Sequence, residues 1–444
     1  MSNSRVMVTL LMASLLLVVL GTTSVFAGGS KEASTVAAQP AAQPAGHVTI
    51  SLWNSLMGSK AAARKQLIAG FEKKYPNITV KTLGFFSISK NNEKMLTAMA
   101  AGDPPDLGAN HYYYVAQYAS QGAVQSLDKY FTASGIDPSN VFLPAPLKIN
   151  LYKGKLYGIP MYTSTRVIIY NTEMFKKAGL NPNDPPTTWP QLVQDAVKLT
   201  KWNGNTLETS GFLAPETNLG NEDVMNYFVQ LLWQKGGHIF NAARNKVEFA
   251  SPAGIAALQY YVSLFQKYKV SQIGFGAGTQ GTQQPFYAGK AAMFMAGPYD
   301  IVSLRALPNL HYGVTPMPAP PGGRSVALVD SFSVFMPTQA KHKAAAWDFI
   351  KYASTKTAQV DFARSSARLP AVTAAANDPY FTQNPVLHIF AKAVATGRAI
   401  PIVPQWTQIQ NTLTAEIQKA LTGQISAKAA LENVDNTVNS QILQ

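Results

Sequence analysis

Two separate stretches of the sequence alternate between strand patterns and helix patterns, and this alternation restricts the fold more than any other feature. In the first stretch, an alternating strand at 48–52 precedes a helix that begins at Ser59 and that Pro76 ends. A second strand at 78–82 and a helix at 95–101 follow. This order and spacing are typical of an α/β layer with parallel strands.

The second stretch repeats the pattern further along the chain. Residues 156–170 are rich in strand formers, and Thr188 and Gln191 have the spacing of a helix capping box. Helices are predicted at 224–234 and 255–268. The chain ends in two amphipathic helices, the first stopped by Gly423 and the second capped by Ser426. With 444 residues, the chain is long enough for two or three such domains.

Composition excludes several classes of protein. The chain is 47% hydrophobic and only 14% charged, whereas a disordered chain needs high charge and few apolar residues. It contains no cysteine, which excludes disulfides, thiolate metal sites, cysteine nucleophiles and a lipid-attachment cysteine. The net charge of +14 comes from cations that are dispersed along the sequence, which favours solvated helix surfaces over a nucleic-acid or membrane partner.

The N-terminus has the pattern of a cleaved signal peptide. Arg5 precedes an apolar run over 6–20, and small residues end at Ala27. The alternative is a membrane anchor, but a bilayer needs about 20 apolar residues. We therefore predict a signal peptide at 1–27, a flexible tether rich in Ala, Gln and Pro at 28–46, and a periplasmic protein.

Motifs for catalysis are scarce. The six histidines are far apart, and none lies in a metal-binding frame. Residues 276–281 match G-x-G-x-x-G, but they follow a predicted helix instead of a strand, which favours a flexible loop over a dinucleotide site. No local cluster of acidic residues suggests the carboxylate pair of a glycosidase. We predict no catalytic residues, no metal and no cofactor.

Aromatic residues are abundant, with 19 Tyr, 21 Phe and 6 Trp. Several lie beside Gly, Pro or Asn, including Trp53, Tyr299, Trp406 and the run 112–114. Sugar rings have apolar C–H faces and a rim of hydroxyl groups, so their sites need flat aromatic surfaces and polar side chains. Core packing is the commoner role for any single aromatic residue, but the set favours a carbohydrate site.

Short sequence blocks occur along the chain in a characteristic order: 50–53, 71–76, 101–107, 122–128, 154–160, 170–171, 175–180, 186–189, 286–293, 297–299, 346–350 and 368–370. Together they resemble the carbohydrate-binding group of the extracellular solute-binding proteins of ABC importers. The resemblance implies a type II-like periplasmic binding fold, with two α/β lobes, a hinge and a ligand cleft between the lobes. It also implies a monomer that closes on its ligand and then docks on a membrane permease.

The resemblance places the crossings between the lobes near 161–163, 295–297 and 330–337. The expected first lobe is therefore 47–162 with 297–335, and the expected second lobe is 163–296 with 336–444. It also implies twelve ligand-binding residues: Trp53, Asn54, Ser55, Asn110, His111, Ser164, Trp233, Tyr299, Asp330, Ser331, Arg368 and Trp406. Trp233 lies on an apolar helix, so core packing is the alternative for that residue.

The expected ligand is a mono- or oligosaccharide. Relatives that bind glycerol-3-phosphate present an arginine in a late loop, whereas the corresponding residues 400–406 of this chain include Trp406 and no arginine. Because phosphate prefers charge-assisted, bidentate donors, this difference favours a neutral ligand. Arg368 keeps glycerol-3-phosphate or its diesters open as an alternative ligand. A secreted carbohydrate-active enzyme is the alternative from another functional class.

Overall fold

The computed structural model describes residues 46–55, 59–85, 87–216, 221–275 and 283–443. The predicted signal peptide, all of the predicted tether except Gly46, and the glycine motif at 276–281 lie outside these ranges. None of the helices within the described ranges is both long and apolar enough to cross a bilayer.

The first sheet has five strands in the order β2-β1-β3-β12-β6. Their bounds are β1 Val48–Asn54, β2 Ile78–Gly84, β3 Leu107–His111, β6 Ile159–Thr165 and β12 Val329–Phe335. Strand β1 is parallel to β2 and β3, and this confirms the strands predicted at 48–52 and 78–82. Strand β12 runs antiparallel between β3 and β6, and every residue of β12 and β6 is buried.

The second sheet is smaller and has the order β10-β7-β11. Strand β7 spans Val167–Asn171 and pairs antiparallel with both β10 (Met293–Ala296) and β11 (Tyr312–Thr315). Isolated bridges join Ser210 to Ala291 and Leu213 to Phe294 beside β10. Two short hairpins complete the strands, β4 Leu151–Tyr152 with β5 Lys155–Leu156, and β8 Lys201–Asn203 with β9 Thr206–Thr209.

Helices cover both sheets, and the predicted helix ends are largely confirmed. The Thr188 hydroxyl accepts a hydrogen bond from the Gln191 amide at 3.3 Å, while the Gln191 side chain accepts from the Thr187 amide at 3.0 Å. Ser426 likewise caps the last α-helix by accepting from the Ala429 amide at 3.1 Å.

The α-helices of the described ranges are α1 Ser59–Lys74, α2 Ile88–Ala100, α3 Tyr112–Ser120, α4 Asp128–Ala133, α5 Pro138–Val141, α6 Pro144–Lys148, α7 Thr172–Lys177, α8 Trp189–Leu199, α9 Asn221–Gln234, α10 Pro252–Gln266, α11 Gln284–Tyr287, α12 Asp300–Arg305, α13 Lys343–Ala353, α14 Lys356–Ser366, α15 Thr373–Ala376, α16 Pro379–Thr382, α17 Pro385–Thr396, α18 Trp406–Leu421 and α19 Ala427–Thr437. A π-helical turn at Val438–Ile442 follows α19.

The chain crosses between the two sheets at positions that only partly match the expected ones. The first crossing is at Arg166, between β6 and β7, close to the expected 161–163. The strand pairing does not test the crossing expected at 295–297, which stays a prediction, since β10 and β11 both pair with β7 in the second sheet. The crossing expected at 330–337 does not match the pairing, because β12 lies wholly in the first sheet. The chain instead returns between β11 and β12, and it leaves again beyond α17.

These crossings change the expected lobe boundaries. Helices α13 and α14 pack against α1 of the first lobe, although 336–444 was expected to belong to the second. Helices α18 and α19 do pack with α9 and α10 in the second lobe. We therefore assign 47–165 and 329–384 to the first lobe, and the described parts of 167–327 and 400–443 to the second. Helix α17 packs against both β6 and β11 and so lies beside both sheets.

Gly211 provides a test of how tightly α8 packs on the second lobe. A Cβ atom at Gly211 would collide with the Ala196 carbonyl of α8, and the Gly211 amide donates to the Thr200 hydroxyl at 3.2 Å. Because the obstructing atom belongs to the helix backbone, we expect Gly211→Ala to lower the free energy of unfolding by about 1–3 kcal/mol. Urea denaturation measures the change. Gly46→Ala is the control because a Cβ atom at Gly46 meets open space; equal midpoints for the two variants would contradict the prediction.

Candidate ligand-binding cleft

The centre of the cleft is a charged pair that β12 brings together. His111 ends β3, and its Nδ1 lies 3.0 Å from Asp330 Oδ1 on β12. Burial alone would raise the pKa of Asp330, but His111, Arg166 and the Ser331 amide lower it. Burial alone would lower the pKa of His111, but Asp330 raises it. The raised pKa of His111 and the lowered pKa of Asp330 both favour a protonated imidazole beside an ionised carboxylate.

A second group of charges surrounds Tyr299. This residue lies beside Arg166, at which the chain first crosses between the lobes. The Tyr299 ring centroid lies 5.4 Å from the guanidinium carbon of Arg166 and 5.0 Å from that of Arg368. Arg368 also lies 5.0 Å from the ring centroid of Tyr162 on β6. Arg166 Nε is 3.6 Å from Asp223 Oδ1 at the start of α9, a distance that suits an ion pair but is too long for a hydrogen bond.

Lys60, in the first turn of α1, belongs to the same group. Its ammonium nitrogen lies 5.2 Å from the ring centroid of Phe332 on β12. Burial, followed by repulsion from Arg368, lowers the pKa of Lys60 to about 7, while Asp330 and Glu222 act in the opposite direction. The cleft therefore contains a lysine whose charge changes near neutral pH.

The two walls of the cleft are in direct contact. The Tyr113 hydroxyl on α3 donates to Glu222 Oε1 on α9 at 3.0 Å. The Tyr112 hydroxyl donates to the Ile400 carbonyl at 3.3 Å. The cavity between His111, Tyr113, Glu222 and Asp330 has a volume of about 10 Å³, room for roughly one water molecule. The space beside the charged pair of His111 and Asp330 is too small for a sugar ring.

Several of the predicted site residues have polar atoms available to a ligand. Buried polar groups in folded proteins nearly always have a hydrogen-bond partner. Four such atoms have none among the described residues: Ser55 Oγ, Ser164 Oγ, Arg368 Nε and Trp406 Nε1. Ser164 is paired with Asp330 across the strands, so the two side chains lie on the same face of the sheet.

Three other predicted residues use their polar atoms within the protein. Ser331 donates to the Tyr162 carbonyl at 3.0 Å, and Asn54 Oδ1 accepts from Arg64 at 3.2 Å. Asn110 Oδ1 accepts from the His111 amide at 2.9 Å, and Asn110 Nδ2 donates to the Tyr118 hydroxyl at 3.3 Å. These contacts fix the ends of β1, β3 and β12.

The predicted tryptophans occupy different environments. Trp53 is half-buried and packs edge-on against Phe85, with ring centroids 5.8 Å apart. Trp406 is buried at the start of α18. Trp233 is buried in the hydrophobic core, eleven residues along α9 from Glu222, which corresponds to about 16 Å at 1.5 Å per residue. The structure therefore does not bring Trp233 to the charged centre of the cleft.

Asp300 holds the loop that carries Tyr299. Its carboxylate accepts from the Tyr287 hydroxyl at 3.0 Å and from the Gly297 amide at 2.9 Å. Burial raises the pKa of Asp300 to about 7, and the two hydrogen bonds only partly offset the effect of burial.

Sequence reasoning missed a set of cleft residues: Lys60, Tyr162, Arg166, Glu222 and Asp223. Tyr113 belongs to the aromatic run 112–114 that the sequence analysis singled out, although it was not among the twelve expected ligand-binding residues. A signal existed for some of the missed residues. Arg166 is the single charge between two strands, and Glu222 and Asp223 form an acidic pair directly before the apolar helix predicted at 224–234. Lys60 has no comparable signal, because a lysine in the first turn of a helix is usually solvated.

Residues 54–360 match the family model of the bacterial extracellular solute-binding proteins, and the chain belongs to this family. A binding protein of Brucella abortus is 26% identical over 342 residues, or 77% of this chain and 80% of that protein. The sn-glycerol-3-phosphate-binding periplasmic protein UgpB of Yersinia pseudotuberculosis is 23% identical over 402 residues, or 86% and 90% of the two chains.

Solved structures have the same fold. The structure of CpMnBP1 with mannotriose bound has a TM-score of 0.78 and 29% identity, and the match covers 88% of this chain and 99% of that one. The maltose-bound MalE3 of T. maritima has a TM-score of 0.77 and 24% identity, and the match covers 88% and 99% of the two chains. These similarities confirm the expected two-lobe α/β fold.

The raised pKa of Asp300 has a consequence for stability. Between pH 4 and 7 the folded protein retains a proton on Asp300 that the unfolded chain releases, so this residue's contribution to stability is lost as pH rises through that window. We expect Asp300→Asn to flatten the fall in melting temperature between pH 4 and 7. The exposed Asp184 provides the control, since Asp184→Asn should preserve the wild-type slope. A wild-type slope in Asp300→Asn would show that the carboxyl is ionised throughout this range.

Proposed function

We propose that this chain captures a mono- or oligosaccharide in the cleft between its lobes and delivers it to the membrane subunits of an ABC importer. One observation carries the proposal: two buried polar atoms, Ser164 Oγ and Arg368 Nε, have no hydrogen-bond partner among the described residues. Ser164 lies opposite Asp330, and Arg368 lies beside the rings of Tyr162 and Tyr299. The structural similarity to a protein with mannotriose bound supports a saccharide ligand.

The chemistry of the cleft suits a sugar. Each sugar hydroxyl both donates and accepts hydrogen bonds, so a sugar site needs groups of both kinds. Ser164 offers a hydroxyl, Arg368 offers donors, and Asp330 offers a carboxylate on the same sheet face as Ser164. Tyr113, Tyr162 and Tyr299 provide aromatic surface beside these groups.

The small size of the cavity supports hinge closure. A space of about 10 Å³ cannot admit a sugar, so the ligand enters when the lobes are apart. A ligand that contacts Ser164 on β6 and residues of α9 at the same time binds the closed form better and shifts the population toward it. No covalent step is needed.

Three further parts of the proposal concern export, the oligomeric state and delivery of the ligand. We propose that residues 1–27 are removed on export and that the remaining chain acts in the periplasm. We also propose that it works as a monomer, because each chain supplies both walls of its own cleft. Permease docking by the closed form would couple ligand capture to transport.

Glycerol-3-phosphate or one of its diesters is the second candidate ligand. The similarity to UgpB and the buried guanidinium of Arg368 favour it. The relatives named above are binding proteins, so we do not propose an enzymatic reaction for the cleft.

Ser164 and Ser331 allow ligand binding and stability to be separated. Ser164→Ala removes a hydroxyl that has no partner among the described residues, so it should leave the melting temperature unchanged or raised. It should weaken saccharide affinity about five- to tenfold, since a typical hydrogen bond contributes about 1 kcal/mol. Ser331→Ala is the matched control, because it leaves the Tyr162 carbonyl without its 3.0 Å donor. It should cost about 1 kcal/mol of stability and spare affinity.

The measurement is thermal melting and calorimetric titration with mannobiose, mannotriose, maltose and other oligosaccharides, alongside glycerol-3-phosphate. A ligand at one hundred times its dissociation constant should stabilise the protein by about 2.7 kcal/mol. Small-angle scattering should show a smaller radius of gyration with the ligand. Binding of phosphate esters alone would favour the second candidate, and a Ser164→Ala variant with full affinity would remove Ser164 from the site.

A further inference from the structure

We propose that the saccharide is an acidic one and that its carboxylate pairs with the guanidinium of Arg368. This inference rests on the proposed function and makes the class of sugar more specific. Its basis is the buried guanidinium of Arg368, which is in none of the ion pairs within the described ranges, together with the two tyrosine rings that lie beside it.

Most cations of the cleft have an anion beside them. His111 lies 3.0 Å from Asp330, and Arg166 lies 3.6 Å from Asp223. Lys60 interacts electrostatically with Asp330 and Glu222. Arg368 and Lys60 are in none of the ion pairs within the described ranges, but burial lowers the pKa of Lys60 to about 7. Arg368, of which only 5% is exposed, is therefore the cation of the described cleft residues that keeps its charge without an ion-pair partner. A buried charge without a counterion is costly, and an anionic ligand would remove that cost.

The guanidinium of Arg368 is also held in position for a planar anion. Its carbon lies 5.0 Å from the ring centroids of both Tyr162 and Tyr299, so two aromatic rings fix its position. Its Nη1 donates to the Ser366 carbonyl at 2.8 Å, while Nε has no partner among the described residues. The guanidinium also donates a hydrogen bond to the Tyr162 hydroxyl. The Nε–H is therefore the donor that remains for a ligand, and a carboxylate that accepts from it can also pair with the guanidinium charge.

Among the cleft residues that the structure describes, Arg368 is the permanently charged cation that no ion pair includes, and one such charge matches a singly charged carboxylate better than a phosphate ester. A phosphate ester carries close to two negative charges at neutral pH, whereas the other cations of the cleft already face carboxylates. The absence of arginine from 400–406 argues against phosphate at that loop only. It does not make the cleft neutral, because Arg166, Arg368 and Lys60 come from elsewhere in the chain.

The test compares pairs of sugars that differ only in the carboxyl group. Dimers of galacturonic acid and of mannuronic acid are titrated into the protein beside the corresponding neutral dimers, galactobiose and mannobiose. Glycerol-3-phosphate and mannose 6-phosphate form the phosphate arm. We expect at least one uronate dimer to bind ten or more times more tightly than its neutral counterpart and more tightly than either phosphate ester.

Variants assign the preference to one side chain. Arg368→Gln should reduce the uronate-to-neutral affinity ratio to about threefold or less, and binding of the neutral dimer shows that this variant is folded. Arg368→Lys retains the charge but loses the Nε–H donor, so it should retain part of the ratio. Arg324→Gln is the control for overall charge, because Arg324 is exposed in the segment between β11 and β12.

The outcomes separate this inference from the proposed function. A wild-type protein that binds neutral dimers as tightly as uronates would overturn the inference and leave the saccharide-binding function intact. Tighter binding of either phosphate ester would also overturn it, as would an Arg368→Gln variant that keeps the full ratio. A protein that binds no saccharide of either kind would overturn both proposals.

Discussion

The cleft depends on the position of one strand, β12, between β3 and β6. Residues 329–335 come late in the chain, yet they pair antiparallel with strands that end at His111 and Thr165. This pairing brings Asp330 within 3.0 Å of His111 and directly opposite Ser164. Because every residue of β12 is buried, a slip by one residue would turn each side chain to the opposite face of the sheet and disrupt the packing on both faces. The register of β12 therefore fixes the polar floor of the cleft.

Local sequence predicted the elements better than it predicted their partners. The alternation at 48–52 and 78–82 corresponds to β1 and β2, and the caps at Thr188 and Ser426 are present. The resemblance placed the third crossing within β12, and the local sequence could not correct it. Every residue of β12 is buried, so the sequence of this strand does not indicate which sheet it joins. Hydrogen bonds between strands that are far apart in the sequence decide which sheet a strand joins, and no local sequence pattern indicates this pairing.

The local sequence also does not show which polar side chains come together in the cleft. The family resemblance implied His111, Ser164 and Asp330 as site residues. Lys60 was missed because its neighbours in sequence resemble a solvated helix start. Arg166 was missed although it is the single charge between two strands, because the local sequence does not show which groups a buried charge faces. The dispersed cations suggested solvated surfaces, whereas the fold gathers several of them around Tyr299 and Phe332. Burying these charges costs free energy, and the carboxylates of α9 and β12 offset part of that cost by pairing with the cations.

The contacts that close the cleft also limit how strongly a ligand can bind. Tyr113 donates to Glu222 across the cleft, and Tyr112 donates to the Ile400 carbonyl. When the lobes open, water replaces these partners, and when they close on a ligand, either the same bonds form again or the ligand takes their place. Measured affinity is therefore the difference between ligand contacts and the contacts of the empty closed form. Ser164 Oγ and Arg368 Nε have no hydrogen-bond partner among the residues that the structure describes. A ligand that reaches these atoms adds contacts that the empty form lacks, and those contacts drive its capture.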